Sequence, residues 1–193
     1  MGFLLKGTGV ASDVLGCVTP CGEGAWKMNM RAIYLCGLLL TLPALVTGAS
    51  ASLDGQAAPD FVLKSLTGSN LRLSEYRGEV VMINFWATWC GRCRTEMPLL
   101  DEMYDRYRKV GFTLLGVNID DDRRRAAEMA QSLGLKFPVL FDESKKVSRM
   151  YDVDDMPVTL LIDRGGVVRY VNNGFPPGSE EAYVDKIRTL LRE

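Results

Sequence analysis

Two cysteines separated by two residues, Cys90 and Cys93, carry the sharpest chemical signal in the chain. The nucleophile of disulfide exchange is a thiolate, and an ordinary cysteine is mostly protonated near neutral pH. The pair follows a near-continuous apolar run, Val80-Val81-Met82-Ile83, closed by Asn84-Phe85-Trp86, and precedes a helix-like segment. The first turn of a helix has unpaired N–H groups and the positive end of the helix dipole. A cysteine placed there has its thiolate favoured, which assigns attack on a partner disulfide to Cys90. Cys93 lies three residues on, on the same side of the helix, and is expected to resolve the mixed disulfide. Arg92 adds positive charge that would lower the thiol pKa and make the pair more oxidising, the alternative being a solvated surface arginine. Of the flanking Trp86 and Trp89, one is expected in the core and the other on a partner-docking surface. Asn84, in an otherwise apolar strand, reads as a satisfied buried amide.

Other chemistries find little support in the composition. The 193 residues contain no histidine, which removes a Ser-His or Cys-His pair and any histidine-ligated metal. The net charge of −1 gives no basic field for nucleic acid. Lys27 and Arg31 precede an apolar run from Ala32 to Val46, and Gly48-Ala49-Ser50-Ala51 follows it. This is the pattern of a secretory signal peptide, with cleavage expected after Ala51; an uncleaved membrane anchor is the alternative. Met1 to Trp26 precede the basic start, and residues 1–27 read as an upstream extension absent from the native protein, with Met28 or Met30 the true start. The codons of Gly22-Glu23-Gly24 are necessarily purine-rich, as a ribosome-binding site is. The expected organisation is therefore an extension over 1–27, a signal segment over 28–51 and one domain over 52–193. Cleavage would leave Cys90 and Cys93 as the only cysteines, in a compartment that permits disulfides. A structural disulfide is the plain alternative, but so short a loop constrains the unfolded chain little.

The elements that must position the pair read in order. Leu53 to Pro59 is a short polar linker. Residues 61–64 and 70–73 alternate around Thr67-Gly68-Ser69, as a β-hairpin does. Ser74 is placed to cap one helical turn that Gly78 stops. Val80–Phe85 and Phe112–Val117 read as strands buried on both faces. Between them Met97, Leu100, Met103, Tyr104 and Tyr107 keep helical spacing as far as Val110, with a kink expected at Pro98. Asp120-Asp121-Asp122 suit the start of a helix ending at Gly134, in preference to a metal cluster. Residues 137–141 are a short strand, at an edge or entered late because of Pro138, and 145–151 a short helix. Residues 158–162 and 167–171 form a second hairpin, and Pro176-Pro177-Gly178 a loop. A last helix is expected to be capped by Ser179, with Tyr183, Ile187, Leu190 and Leu191 inward. Crossover helices between buried strands argue an α/β fold with a central mixed sheet flanked by helices.

The motifs Ala58-Pro59-Asp60-Phe61, Asn84-Phe85-Trp86-Ala87-Thr88-Trp89-Cys90, Cys93-Arg94-x-Glu96-Met97-Pro98, Gly116-Val117-Asn118 and Met156-Pro157-Val158-Thr159 run through residues 57–192. Together they resemble the thioredoxin superfamily, and within it the TlpA/ResA-type exported thiol-disulfide oxidoreductases. The resemblance implies a thioredoxin-like fold with an N-terminal β-hairpin extension. It implies that Pro157 is a cis-proline beside the cysteines, and that the backbone of Met156 pairs with an extended partner segment. It gives Glu96 a part in proton transfer or partner recognition, the alternative being an exposed helical glutamate. Asn84 stands where cytosolic thioredoxins carry a buried aspartate, leaving Glu96 as the candidate base. Gly91-Arg92 departs from the proline-containing pairs of relatives, which leaves the direction of electron flow open.

The activity so implied is reduction of partner disulfides, of the cytochrome c maturation or copper-site assembly type, in the periplasm or outside the cell. The expected agent is the Cys90–Cys93 disulfide itself, with no further cofactor. A membrane thiol-disulfide electron donor, no nucleic acid and a monomeric state complete these expectations. Disulfide oxidation and Cu(I) transfer by the same cysteines are the alternatives. A zinc site would need Cys17 and Cys21 as well. A peroxiredoxin is set aside because Ala87 stands where that family's motif needs threonine.

Overall fold

The computed structural model describes residues 53–174, 176 and 178–193. The 1–27 extension, the 28–51 signal segment, Cys17, Cys21, Cys36 and Pro177 lie outside the described residues. Among the described residues, no helix is long and apolar enough to cross a membrane.

The centre of the sheet is formed by β3 (Val80–Trp86) and β4 (Phe112–Asn118), parallel and in register from Val80 opposite Phe112 to Trp86 opposite Asn118. Every residue of both strands is buried, as continuous apolar runs predict for strands covered on both faces. β6 (Val158–Ile162) lies antiparallel on the other side of β3, and β7 (Val168–Asn173) follows it across the second hairpin. The first hairpin, β1 (Val62–Ser65) and β2 (Asn70–Arg72), joins the same sheet. With β5 (Val139–Phe141), the seven strands run β2-β1-β5-β4-β3-β6-β7. The helices are α1 (Gly91–Tyr107), α2 (Arg123–Ser132), α3 (Lys146–Met150) and α4 (Glu180–Arg192). α1 runs on without interruption past Pro98, whose ring lies on its exposed side, and a short 3-10 turn ending at Gly111 closes it.

Three local expectations change and one choice is decided. Of the two readings of Pro138, late entry holds and the edge does not: β5 starts at Val139 and lies between β4 and β1. Pro138 precedes it and offers its carbonyl to the Gly116 N–H at 2.9 Å, so the missing proline N–H is not required of the ladder. Leu53 to Pro59 is no free linker. Ala57 bridges to Val167, and Val168 exchanges backbone bonds with Gly55 and Gln56 at 2.8 Å, which covers the start of β7. Ser74 is the capped residue and not the cap: Asp60 accepts its N–H at 2.9 Å and its hydroxyl at 3.1 Å. Ser179 stands at the N-cap of α4, yet its hydroxyl makes no capping bond.

Gly116, in the middle of β4, is required by its neighbours. A Cβ there would come within 2.6 Å of the Phe137 ring and 3.4 Å of the Trp86 indole nitrogen. Both rings are buried, so neither can retreat. Gly116→Ala is expected to destabilise the fold by about 1–3 kcal/mol, read as a lower urea midpoint at unchanged slope.

Candidate functional site

β3 ends at Trp86, and a tight turn delivers Cys90, whose N–H donates to the Ala87 carbonyl at 3.1 Å. The turn is held from the neighbouring strand. Asp120, just past β4, accepts the Thr88 N–H at 2.9 Å and the Thr88 hydroxyl at 3.0 Å. The Asn118 side-chain amide donates to the same carboxylate at 2.7 Å. Asp120 therefore departs from its two acidic neighbours: Asp122 caps α2 through the Arg124 N–H, and Asp121 pairs with Lys145.

Cys90 is the N-cap of α1. The Cys93 N–H, one of the orphan donors of that first turn, points at Cys90 Sγ at 3.1 Å. The two sulfurs are joined as a disulfide. Cys90 keeps 7% of its surface accessible and Cys93 none. Gly91 opens the helix with nothing within 4 Å of the place a Cβ would take, so its own face of the first turn is open. Trp86 is wholly buried, whereas Trp89 is 68% exposed beside Cys90. Trp89 lines a depression of about 450 Å³ with Thr88, Ile119, Arg125 and Lys145.

Below the sulfurs lies a buried polar cluster. Glu96 is 1% exposed, because the inward face of α1 runs Cys93, Glu96, Met97, Leu100, Met103. The Asn84 amide donates to Glu96 Oε1 at 2.7 Å and to the Thr159 hydroxyl at 3.0 Å, tying α1, β3 and β6 together. Glu96 Oε2 and Asn84 Oδ1 are buried without a hydrogen-bond partner. Burial pushes the Glu96 carboxyl up to about 7, against the opposing pull of the Asn84 hydrogen bond and the Arg92 charge. The exposed-glutamate alternative is thereby replaced by a buried acid poised near neutrality.

The peptide bond between Met156 and Pro157 is cis. Val158 pairs with Phe85, which sets Pro157 level with the end of β3 and the turn to Cys90. Arg92 reaches across this gap: its Nη2 donates to the Met156 carbonyl at 2.9 Å and lies 3.7 Å from Asp155. The charge expected to act on the thiolate is thus partly neutralised by a carboxylate. Cys90, Cys93, Glu96, Arg92, Met156 and Pro157 converge at one end of β3, while Trp89 and Gly91 form the open surface around them.

Comparison with known proteins bears on this arrangement. Residues 55–171 match the model of the AhpC/TSA family. The thiol-disulfide oxidoreductase ResA of Geobacillus kaustophilus is 38% identical over 157 residues, covering 77% of this chain and 90% of that protein. The chain belongs to the ResA-type thiol-disulfide oxidoreductases of the AhpC/TSA family. The ResA of Bacillus subtilis is 31% identical over 164 residues, 84% of this chain and 92% of its own length. Among solved structures, one described as thiol:disulfide interchange protein DsbE from Chlorobium tepidum superposes with a TM-score of 0.69 at 38% identity. It covers 72% of this chain and 97% of its own. This ResA-type chain is a protein-disulfide oxidoreductase with a thioredoxin-like fold.

Asp120 was expected at a helix start and instead holds the Thr88 turn, while Asp155 and Thr159 carried no expected role of their own. Thr159 stood within the quoted Met156–Thr159 motif, and only the register of β6 against β3, with Thr159 opposite Asn84, shows its purpose.

Proposed function

We propose that the protein reduces disulfides of exported partner proteins, with Cys90 as attacking and Cys93 as resolving sulfur. The observation that carries the roles is the asymmetry of the pair: Cys90 is partly accessible and receives a helix N-terminal N–H, whereas Cys93 is enclosed. The Cys90 thiolate attacks one sulfur of the partner disulfide. A Cys90–partner bond forms, and the partner's other sulfur leaves as thiolate. Cys93 then gives its proton to the ionised Glu96, one turn along the helix, and attacks Cys90 Sγ. The Cys90–Cys93 bond forms and the partner's second thiolate departs. The partner gains two electrons, and a membrane thiol-disulfide donor restores the dithiol.

Trp89, Gly91, Met156 and Pro157 form the docking surface in this reading, with the Met156 backbone meeting an extended partner segment. Export rests on the signal-like residues 28–51, and partners of the cytochrome c maturation or copper-assembly class rest on the family resemblance. One observation favours oxidation instead: the Cys93 N–H directed at Cys90 Sγ stabilises a thiolate there, and a stabilised dithiol makes a stronger oxidant. Equilibration with glutathione decides the direction. A reductant is expected near the thioredoxin potential of about −270 mV, and a value close to about −120 mV would make the protein an oxidant.

A further inference from the structure

Both backbone hydrogen-bonding groups of Met156 are occupied by side chains. Its N–H donates to Asp155 Oδ1 at 2.8 Å, and its carbonyl accepts Arg92 Nη2 at 2.9 Å. The two side chains lie 3.7 Å apart, closing a small ring over the residue. The next carbonyl, of Pro157, is already taken by the Gly174 N–H at 2.7 Å. An extended segment docking at Met156 thus meets a backbone edge that is satisfied in advance.

We propose that Arg92 and Asp155 form a latch over Met156 that a partner protein opens by strand pairing, so that the pair selects among partners. This inference rests on the reading that Cys90 attacks protein disulfides. At the hydrogen-bonded positions of an antiparallel pair, the two opposed residues exchange both N–H···O bonds, and the latch occupies both groups of Met156 as such a position requires. One partner residue opposite Met156 therefore replaces both latch bonds, its carbonyl taking the place of Asp155 and its N–H the place of Arg92. The freed side chains return to water at little cost, because they are 64% and 80% exposed even when latched and exposed ion pairs are weak. A partner with proline opposite Met156 supplies no N–H and leaves the carbonyl without a donor once Arg92 is displaced. The latch thus admits partners offering a complete backbone residue and penalises the rest.

The test compares two substrates of the reduced protein: a disulfide-linked pair of proline-free hexapeptides, which has backbone to dock, and 2-hydroxyethyl disulfide, which has none. Taking the ratio of the two rates cancels changes in thiolate reactivity. Asp155→Ala and Arg92→Ala are each expected to raise the peptide-to-small-disulfide ratio roughly two- to fivefold, the range of an exposed ion pair. The rise should lie in KM for the peptide. In oxidised Asp155→Ala the Met156 amide should exchange hydrogen faster than in the parent. It should be protected again when a peptide is trapped on Cys90 in the Cys93→Ala/Asp155→Ala double variant. A ratio unchanged or lowered in both single variants, or a Met156 amide still unprotected in the trapped complex, overturns the latch. A parent protein that reduces neither substrate overturns the functional reading itself.

Discussion

A Cys93→Ala variant is expected to accumulate in cells as a mixed disulfide with its partners, and a Cys90→Ser variant to hold nothing. The asymmetry follows from the fold. Cys90 stands at the N-cap of α1 with some of its surface open and the Cys93 N–H directed at its sulfur, while Cys93 is fully enclosed. Only the first can meet a protein disulfide. Removal of a nucleophile typically costs three orders of magnitude or more in rate, so Cys90→Ser should reduce disulfides at about the uncatalysed rate. Cys93→Ala keeps the first step and loses the second, so the covalent complex waits for an external thiol. Gel shifts under non-reducing conditions, followed by mass spectrometry of the captured protein, read this out and identify the partner class. Capture by Cys90→Ser with none by Cys93→Ala would reverse the roles. Neither variant threatens the fold, because a bridge spanning so few residues contributes little to stability.

The same site shows which features a sequence makes legible. A strand buried on both faces writes itself as an apolar run, and the cysteines mark where β3 meets α1; both were readable because the signal is local. The two hairpins were readable for the same reason. What escaped depends on partners distant in the chain. Pro138 left an edge strand and a late entry both open because proline lacks a donor, and only the bond from Gly116 to its carbonyl decides for a central strand entered at Val139. The acidic triplet 120–122 looked uniform, and only the approach of the Thr88 turn separates Asp120 from its neighbours. Arg92 looked like a charge acting on sulfur, whereas the cis-proline loop, far along the chain, gives it a carbonyl and a carboxylate to hold. Glu96 is an intermediate case. The spacing Cys93, Glu96, Leu100, Met103, Tyr107 already placed it on the inward stripe of α1, but glutamate is so seldom buried that residue type argued against position.

That conflict makes Glu96→Gln the variant with the most to report. Burial raises the Glu96 carboxyl from its ordinary 4.5 to about 7, so the group is largely neutral in the folded protein at pH 5 to 6 and ionised in the unfolded chain. The native state then binds more protons than the unfolded one across this window, and stability falls as pH rises from about 4.5 to 7. The loss is on the order of 3 kcal/mol, from 1.36 kcal/mol per pKa unit. Glutamine keeps an oxygen for the Asn84 amide but does not titrate, so the variant should lack this decline. The readout is the change in urea midpoint between pH 4.5 and pH 8, which cancels any fixed cost of burying the extra amide. The catalytic consequence runs with the same ionisation but opposite in sign. As acceptor of the Cys93 proton, Glu96 must be ionised, so resolution of the mixed disulfide should speed up as pH rises through about 7 and then level off. In Glu96→Gln that inflection should vanish and the resolving step at pH 8 should slow by roughly 10²-fold, while the first attack by Cys90 changes far less. Tyr183 on α4 also faces Glu96, and burial holds its phenol up to about 12, so it does not titrate in this range. An unaltered pH profile in Glu96→Gln would remove the residue from proton transfer and leave it a structural acid. A parent protein with no inflection near 7 and no decline in stability would show that the carboxyl is solvated and titrates near its ordinary 4.5.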